Sequence, residues 1–193
     1  MSRPIPVEVI PSHVHVSAAH HEVLFGEGNA GTVRYELSQA GQFAYAEMVD
    51  VIGANGECVT LRVLGPHRKA TQVELTPTEA RLLGIDAPLA KSGDLAAAKP
   101  CRLRTAHGTV DAQASVIVPK PHLHLSDSEA TALRLAHGAV VRVDVVGDAT
   151  CVIEGVIVRV HPTYRARLHI HQDLAREMWL HSGAHVRIRD IQH

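Results

Sequence analysis

The chain is poor in aromatic rings, in thiols and in any excess of charge. Phe, Trp and Tyr make up only 3% of its 193 residues, so a core must be built from Val, Leu, Ile and Ala. Hydrophobic residues still reach 46%, which points to a globular chain rather than a disordered one. The three cysteines, Cys58, Cys101 and Cys151, are odd in number, widely spaced and form no C-x-x-C pair. Neither a disulfide framework nor a thiolate zinc site is signalled, and three reduced thiols in a cytosolic protein are expected. Lys plus Arg is 19 against 20 Asp plus Glu, a net charge of −1 that argues against nucleic acid or a polybasic membrane surface. No apolar run follows a basic start and no stretch could span a bilayer, so no membrane association is expected. The length suits one large domain or two small ones.

Histidine, by contrast, is abundant, at fifteen residues. Four of them form two matching segments, Ser12-His13-Val14-His15-Val16-Ser17 and Pro121-His122-Leu123-His124-Leu125-Ser126. His13 to His122 and His15 to His124 are both 109 residues apart. Alternate residues of a strand share a face, so each H-x-H presents two imidazoles together. Imidazole is the commonest protein ligand for zinc and related ions. One such pair would ordinarily be two strand histidines. Two copies, each before a serine, point to a metal centre at the interface of two similar half-domains.

Strand signals dominate elsewhere. Apolar or alternating β-branched runs occupy Val7–Ile10, Glu47–Ile52, Glu57–Leu64, Ala114–Val118, Ala139–Val146 and Cys151–Val160, with Asn55-Gly56 and Gly147-Asp148 as hairpin turns. Helices are few. Thr76-Pro77-Thr78-Glu79 and Ser126-Asp127-Ser128-Glu129 read as capping boxes, leading to helices through Leu83 and Ala136 that stop at Gly84 and Gly138. A third helix is expected from about Asp173 to Leu180.

The repeat extends further. Gln72-Val73-Glu74-Leu75-Thr76 precedes a helix containing Ala80-Arg81, and Arg167-Leu168-His169-Ile170-His171 precedes one containing Ala175-Arg176. Glu74 then corresponds to His169, and the ligand set becomes His13, His15, Glu74, His122, His124 and His169. Six N/O donors exceed one tetrahedral site, so two metals close together are expected. His20, His21, His67, His107, His137, His161, His181, His185 and His193 lack such context and are assigned to surface or supporting positions. His171 shares a strand face with His169 or starts a helix. Ser126 reads as a helix cap, and Ser17 also suits that role. Arg68, in Gly65-Pro66-His67-Arg68, is either a solvated turn residue or an anion clamp, since guanidinium matches phosphate bidentately. Amidohydrolase barrels need more residues and alternating helices. Metallo-β-lactamase-like hydrolases need Asp and His where Ser17 and Ala18 stand.

Taken in order, Arg3–Val7, the first H-x-H-x-S, Gln39–Ala44, Arg62–Arg68 with Gln72-Val73-Glu74, Ala80-Arg81, Leu83–Pro88, Ser92-Gly93, the second H-x-H-x-S and Leu168-His169-Ile170 cover nearly the whole chain. This series resembles the phosphotransacylases of the propanediol-utilisation type, the phosphate propanoyltransferase and phosphate acetyltransferase family. The resemblance implies a mainly β fold of two similar β-barrel domains capped by short helices, with a dinuclear metal site between them. It implies a first barrel over 12–119, and a second over 2–11 plus 120–193. It assigns the six ligands above to two divalent ions, usually zinc, phosphate binding to Arg68, and a coenzyme A contact to Arg62. Ser12 and Pro121 stand where the family usually has arginine, which bears on anion and coenzyme A contacts. His171 replaces a residue that is often acidic. A homodimer is also implied. The similarity begins by Arg3, without the extension that directs some members into microcompartments. A cytoplasmic enzyme is therefore expected, with the microcompartment lumen following only if such an extension precedes this sequence.

The expected reaction interconverts acyl-CoA (acetyl or propanoyl) and phosphate with acyl phosphate and CoA. One metal, near His13 and His15, is expected to take the coenzyme A sulfur. The other, near Glu74, His122, His124 and His169, is expected to orient phosphate with Arg68. The rivals are a dinuclear metal hydrolase, a thioesterase or phosphatase, and a non-catalytic paralogue that binds metal or coenzyme A.

Overall fold

A computed structural model describes residues 3–192, so Met1, Ser2 and His193 fall outside the described residues. The chain divides into two compact units. One is Pro11–Pro119, and the other joins the segment ending at Ile10 to the segment beginning at Lys120.

The Pro11–Pro119 unit holds β2 (His13–Ser17), α1 (Ala18–Phe25), β3 (Val33–Glu36), β4 (Phe43–Ile52), β5 (Cys58–Arg68), β6 (Gln72–Glu74), α2 (Pro77–Leu82), β7 (Leu89–Ala90), β8 (Lys99–Arg104) and β9 (Thr109–Pro119). Six strands close in the order β4-β5-β2-β6-β9-β8, with β8 pairing back to β4. β3 and β7 add to β4 and β9. The other unit holds β1 (Ile5–Ile10), β10 (His122–Leu125), α3 (Asp127–Leu133), β11 (Val140–Val145), β12 (Asp148–Val160), β13 (Arg167–His171), α4 (Gln172–Glu177) and β14 (His185–Gln192). Its barrel closes as β11-β12-β10-β13-β1-β14. Parallel and antiparallel pairings match between the barrels at every step. β1 thus fills in the second barrel the place that β9 fills in the first.

Alternation builds both cores. Val14 and Val16 of β2 are fully buried beside Leu61, Val63, Val73 and Leu75. Leu123, Leu125, Leu168 and Ile170 do the same in the second barrel, beside Val141, Val156 and Val158. Each such side chain contributes roughly 1.5–3 kcal/mol. Phe25 and Tyr45 are the buried aromatic residues of the first core, and the second is aliphatic.

The capping boxes at Thr76 and Ser126 form as their spacing predicts. The structure differs at several other points. α1 was not anticipated, because its first turn has no acid to complete a box; Ser17 nevertheless caps it, accepting from the His20 amide. α3 ends at Leu133 instead of Ala136, because Arg134 turns left-handed at φ 56°. β8 escaped the hydrophobic pattern because only Cys101 and Leu103 point inward between charged neighbours. Ser12, where an arginine was noted as usual, donates to Glu79 and accepts from the Thr76 amide, so it braces the start of α2.

The Asn55-Gly56 hairpin packs on the end of α2, and Asn55 donates to the Leu82 carbonyl at 2.8 Å. A Cβ on Gly53 would lie 1.8 Å from the Leu83 carbonyl oxygen, which is backbone and cannot swing away. Gly53→Ala is expected to cost about 1–3 kcal/mol in urea unfolding. An unchanged midpoint would mean that this contact is not maintained.

Candidate metal centres and anion site

The alternation that sends Val14 and Val16 into the barrel puts His13 and His15 on the opposite face of β2. β6 runs antiparallel beside it, with His13 opposite Glu74 and His15 opposite Gln72. One donor atom from each of His13, His15 and Glu74 lies within 4.8 Å of the others, and all three residues are buried. The His13 and His15 Nδ1 atoms face the Pro11 and Leu64 carbonyls at 2.9 and 3.2 Å. A carbonyl there assigns the proton to Nδ1 and leaves the Nε2 lone pair for an ion. The His13 Nε2 is 3.6 Å from the Glu74 carboxylate.

The second unit repeats the arrangement. His122 lies opposite His169, and His124 opposite Arg167, across β10 and β13. His122, His124 and His169 form the second group of donors within 4.8 Å. The His122 Nδ1 faces the Lys120 carbonyl at 3.0 Å. His124 is only 4% exposed, yet neither ring nitrogen has a hydrogen-bond partner among the described residues. Buried polar atoms left this way are rare, and they fit an imidazole built to bind an ion. Tyr164 stacks on His124 with centroids 4.2 Å apart and fixes its plane. Both donor sets suit zinc or a related divalent ion.

Burial lowers the proton affinity of two of these imidazoles, His15 and His124. His15 is held well below the usual 6.5 by desolvation first, then by His13 and Arg68, with Glu74 opposing. His124 is lowered by desolvation, then by His169, His122 and Arg159.

The sequence reading grouped Glu74 with the second histidine pair. The structure groups it with His13 and His15, because β6 pairs with β2. Arg68 follows a bulge in the β2–β5 pairing and stands opposite Ser17. Its guanidinium donates to the Ser92 hydroxyl at 3.3 Å. Gln72 donates to the same hydroxyl at 3.1 Å and to Glu74 at 2.5 Å, and accepts from the Gly93 amide at 2.9 Å. Gln72 and Ser92 were not nominated from the sequence. Alternation alone puts Gln72 on the Glu74 face, whereas Ser92 sits in a loop with no periodic signal. Arg62 lies opposite His13 and donates to the Tyr45 and Ala46 carbonyls at 2.7 and 3.2 Å.

His21 is not a surface residue. It is 1% exposed, because α1 turns it inward with Leu24 and Phe25, against the His67 ring at 4.6 Å. His171 resolves to the N-cap of α4, its ring accepting from the Leu174 amide at 3.1 Å. His193 lies outside the described residues.

The sequence model described as phosphate propanoyltransferase matches residues 6–181. The chain is 37% identical over 169 residues to the phosphate propanoyltransferase of Alkaliphilus metalliredigens, covering 88% of this chain and 80% of that protein. It is 39% identical over 174 residues to that of Salmonella typhimurium, covering 90% and 82%. It is 33% identical over 184 residues to that of Clostridioides difficile, covering 95% and 88%. No helix among the described residues is long and apolar enough to cross a membrane.

The depressed imidazoles predict a pH dependence. Below about 6.5 the unfolded chain takes up protons at His15, His21, His124 and His171 that the folded chain refuses. Stability of the metal-free protein is therefore full above that pH and falls as the pH drops below it. Denaturant unfolding at pH 8, 7, 6 and 5 measures this, and a flat profile would refute the desolvation of these rings.

Proposed function

Because the chain belongs to the phosphate propanoyltransferase family, a family of acyltransferases, we propose that it interconverts acyl-CoA and phosphate with acyl phosphate and CoA, using two divalent-metal sites. His13, His15 and Glu74 would hold one ion, and His122, His124 and His169 the other. The observation that carries this reading is the Arg68–Ser92–Gln72 cluster, which hydrogen-bonds directly to Glu74.

In the synthetic direction a phosphate oxygen attacks the thioester carbonyl. The C–S bond then breaks and the electron pair leaves with the CoA sulfur. Arg68 supplies paired donors for phosphate, with charge that persists at every working pH. Gln72 and the Ser92 hydroxyl hold that guanidinium beside the first donor set. On this reading phosphate sits with His13, His15 and Glu74, whereas the split expected from sequence put it with Glu74, His122, His124 and His169. His15 and His124, their pKa lowered by burial, act as lone-pair donors and not as cationic acids near pH 7. A divalent ion at these sites supplies Lewis acidity toward oxygen and, for zinc, affinity for thiolate. Fixing phosphate and thioester in line can remove roughly 7–11 kcal/mol of the barrier. No covalent acyl-enzyme is required, and no side chain is assigned as nucleophile. Arg62, opposite His13, is the residue we assign to coenzyme A.

Purified, metal-analysed protein supplied with acetyl or propanoyl phosphate and CoA should form thioester in proportion to bound metal. Release of CoA from acyl-CoA without phosphate would instead indicate a hydrolase. Two bound metals with no turnover would indicate a binding protein. Arg68→Ala should raise KM for phosphate at least tenfold while changing KM for CoA little. Glu74→Ala should lose about one equivalent of metal together with activity; a metal-replete, fully active variant would remove Glu74 from the site.

A further inference from the structure

The two donor sets differ in a way that their shared topology makes informative. In the first barrel the third donor is Glu74, and its neighbour on the next parallel strand is Ile117. In the second barrel the third donor is His169, and its neighbour on the corresponding strand is Glu8. A Glu–Ile pair in one barrel therefore becomes a His–Glu pair in the other. Each set ends with one carboxylate, carried on different strands. Val7 points into the core, so alternation places Glu8 on the face that carries the histidines. Its Oε2 lies 3.1 Å from the His169 Nε2, and both side chains are largely covered, at 26% and 11% exposed.

We propose that Glu8 is a positioning residue for the second metal site, the counterpart of the charge that Glu74 brings to the first. The inference rests on the metal-dependent reading above. Three neutral imidazoles carry no charge to offset a divalent ion in a buried place, and a lone buried charge is costly. A carboxylate against a ligating histidine sets the ring's orientation and makes it a stronger donor. Glu8 does this through His169. It belongs to β1, so the N-terminal strand completes the site as well as the barrel. The second H-x-H motif does not reveal it, since Glu8 lies 114 residues before His122 in the chain.

Cobalt(II) titration of the metal-free protein tests this without an activity assay. Wild type should take up two equivalents, with the ligand-field spectrum of nitrogen and oxygen coordination. Glu8→Gln should keep the first equivalent and bind the second about 10–100-fold more weakly, with an altered spectrum for that ion. Glu8→Asp, which keeps the charge, should recover part of the loss. Glu74→Gln should weaken the other equivalent, and the double variant both. Far-UV circular dichroism of the metal-free variants separates a site effect from a folding one; if Glu8→Gln does not fold, Glu8→Asp carries the test by its own intermediate affinity. A Glu8→Gln variant that folds and binds both ions like wild type overturns the proposal. So does an unaltered second affinity in Glu8→Asp when Glu8→Gln cannot be read. Failure of wild type to bind any metal would instead overturn the reading beneath it.

Discussion

Everything at the candidate sites depends on strand alternation held in register. Four strands follow one pattern, in which apolar residues point into a barrel, donors point out and the next residue caps a helix. They are His13–Ser17, Gln72–Thr76, His122–Ser126 and Arg167–His171. The four caps adopt nearly one backbone conformation, with φ from −71° to −76° and ψ from 158° to 166°. The helix start therefore clamps each strand at its end and blocks sliding. A slip of one residue would turn every imidazole into the barrel core and every valine out of it.

The same geometry explains why the sites tolerate so many histidines. The Nδ1 atoms of His13, His15 and His122 face nearby backbone carbonyls, at Pro11, Leu64 and Lys120, so these three rings are oriented by the chain that carries them. At His15 and His124, burial and like neighbours suppress protonation. In the first set Arg68 adds to that suppression at His15. The guanidinium that we propose to bind phosphate thus also helps to keep a neighbouring lone pair available.

Much of this was legible in the sequence, and the reasons are local. Period-two alternation around the two H-x-H segments needs no long-range information, and capping boxes are read from four residues. The correspondence of Glu74 with His169 followed from the repeat. What escaped depended on tertiary neighbours. α1 lacks an acidic residue in its first turn, so neither it nor the burial of His21 was signalled. β8 and β14 carry charge on most of their outward positions. Ser92 joins Gln72 and Arg68 from a loop, and Glu8 meets His169 only because β1 pairs with β13. The contact of Glu74 with His13 and His15 had the same origin, since strand pairing is not written in either strand alone.

β1 leaves the ribosome before any other strand, yet its partners β13 and β14 are among the last segments made. The Pro11–Pro119 barrel has all its strands available once Pro119 is made, whereas the other needs segments on both sides of that barrel. During translation β1 is an unpaired strand edge, the kind of surface that chaperones and misassembly compete for. Its two prolines, at positions 4 and 6, lie at and near its start and withhold backbone donors from any stray partner. The order of manufacture thus makes the second barrel, with any metal it takes up, a later product than the first.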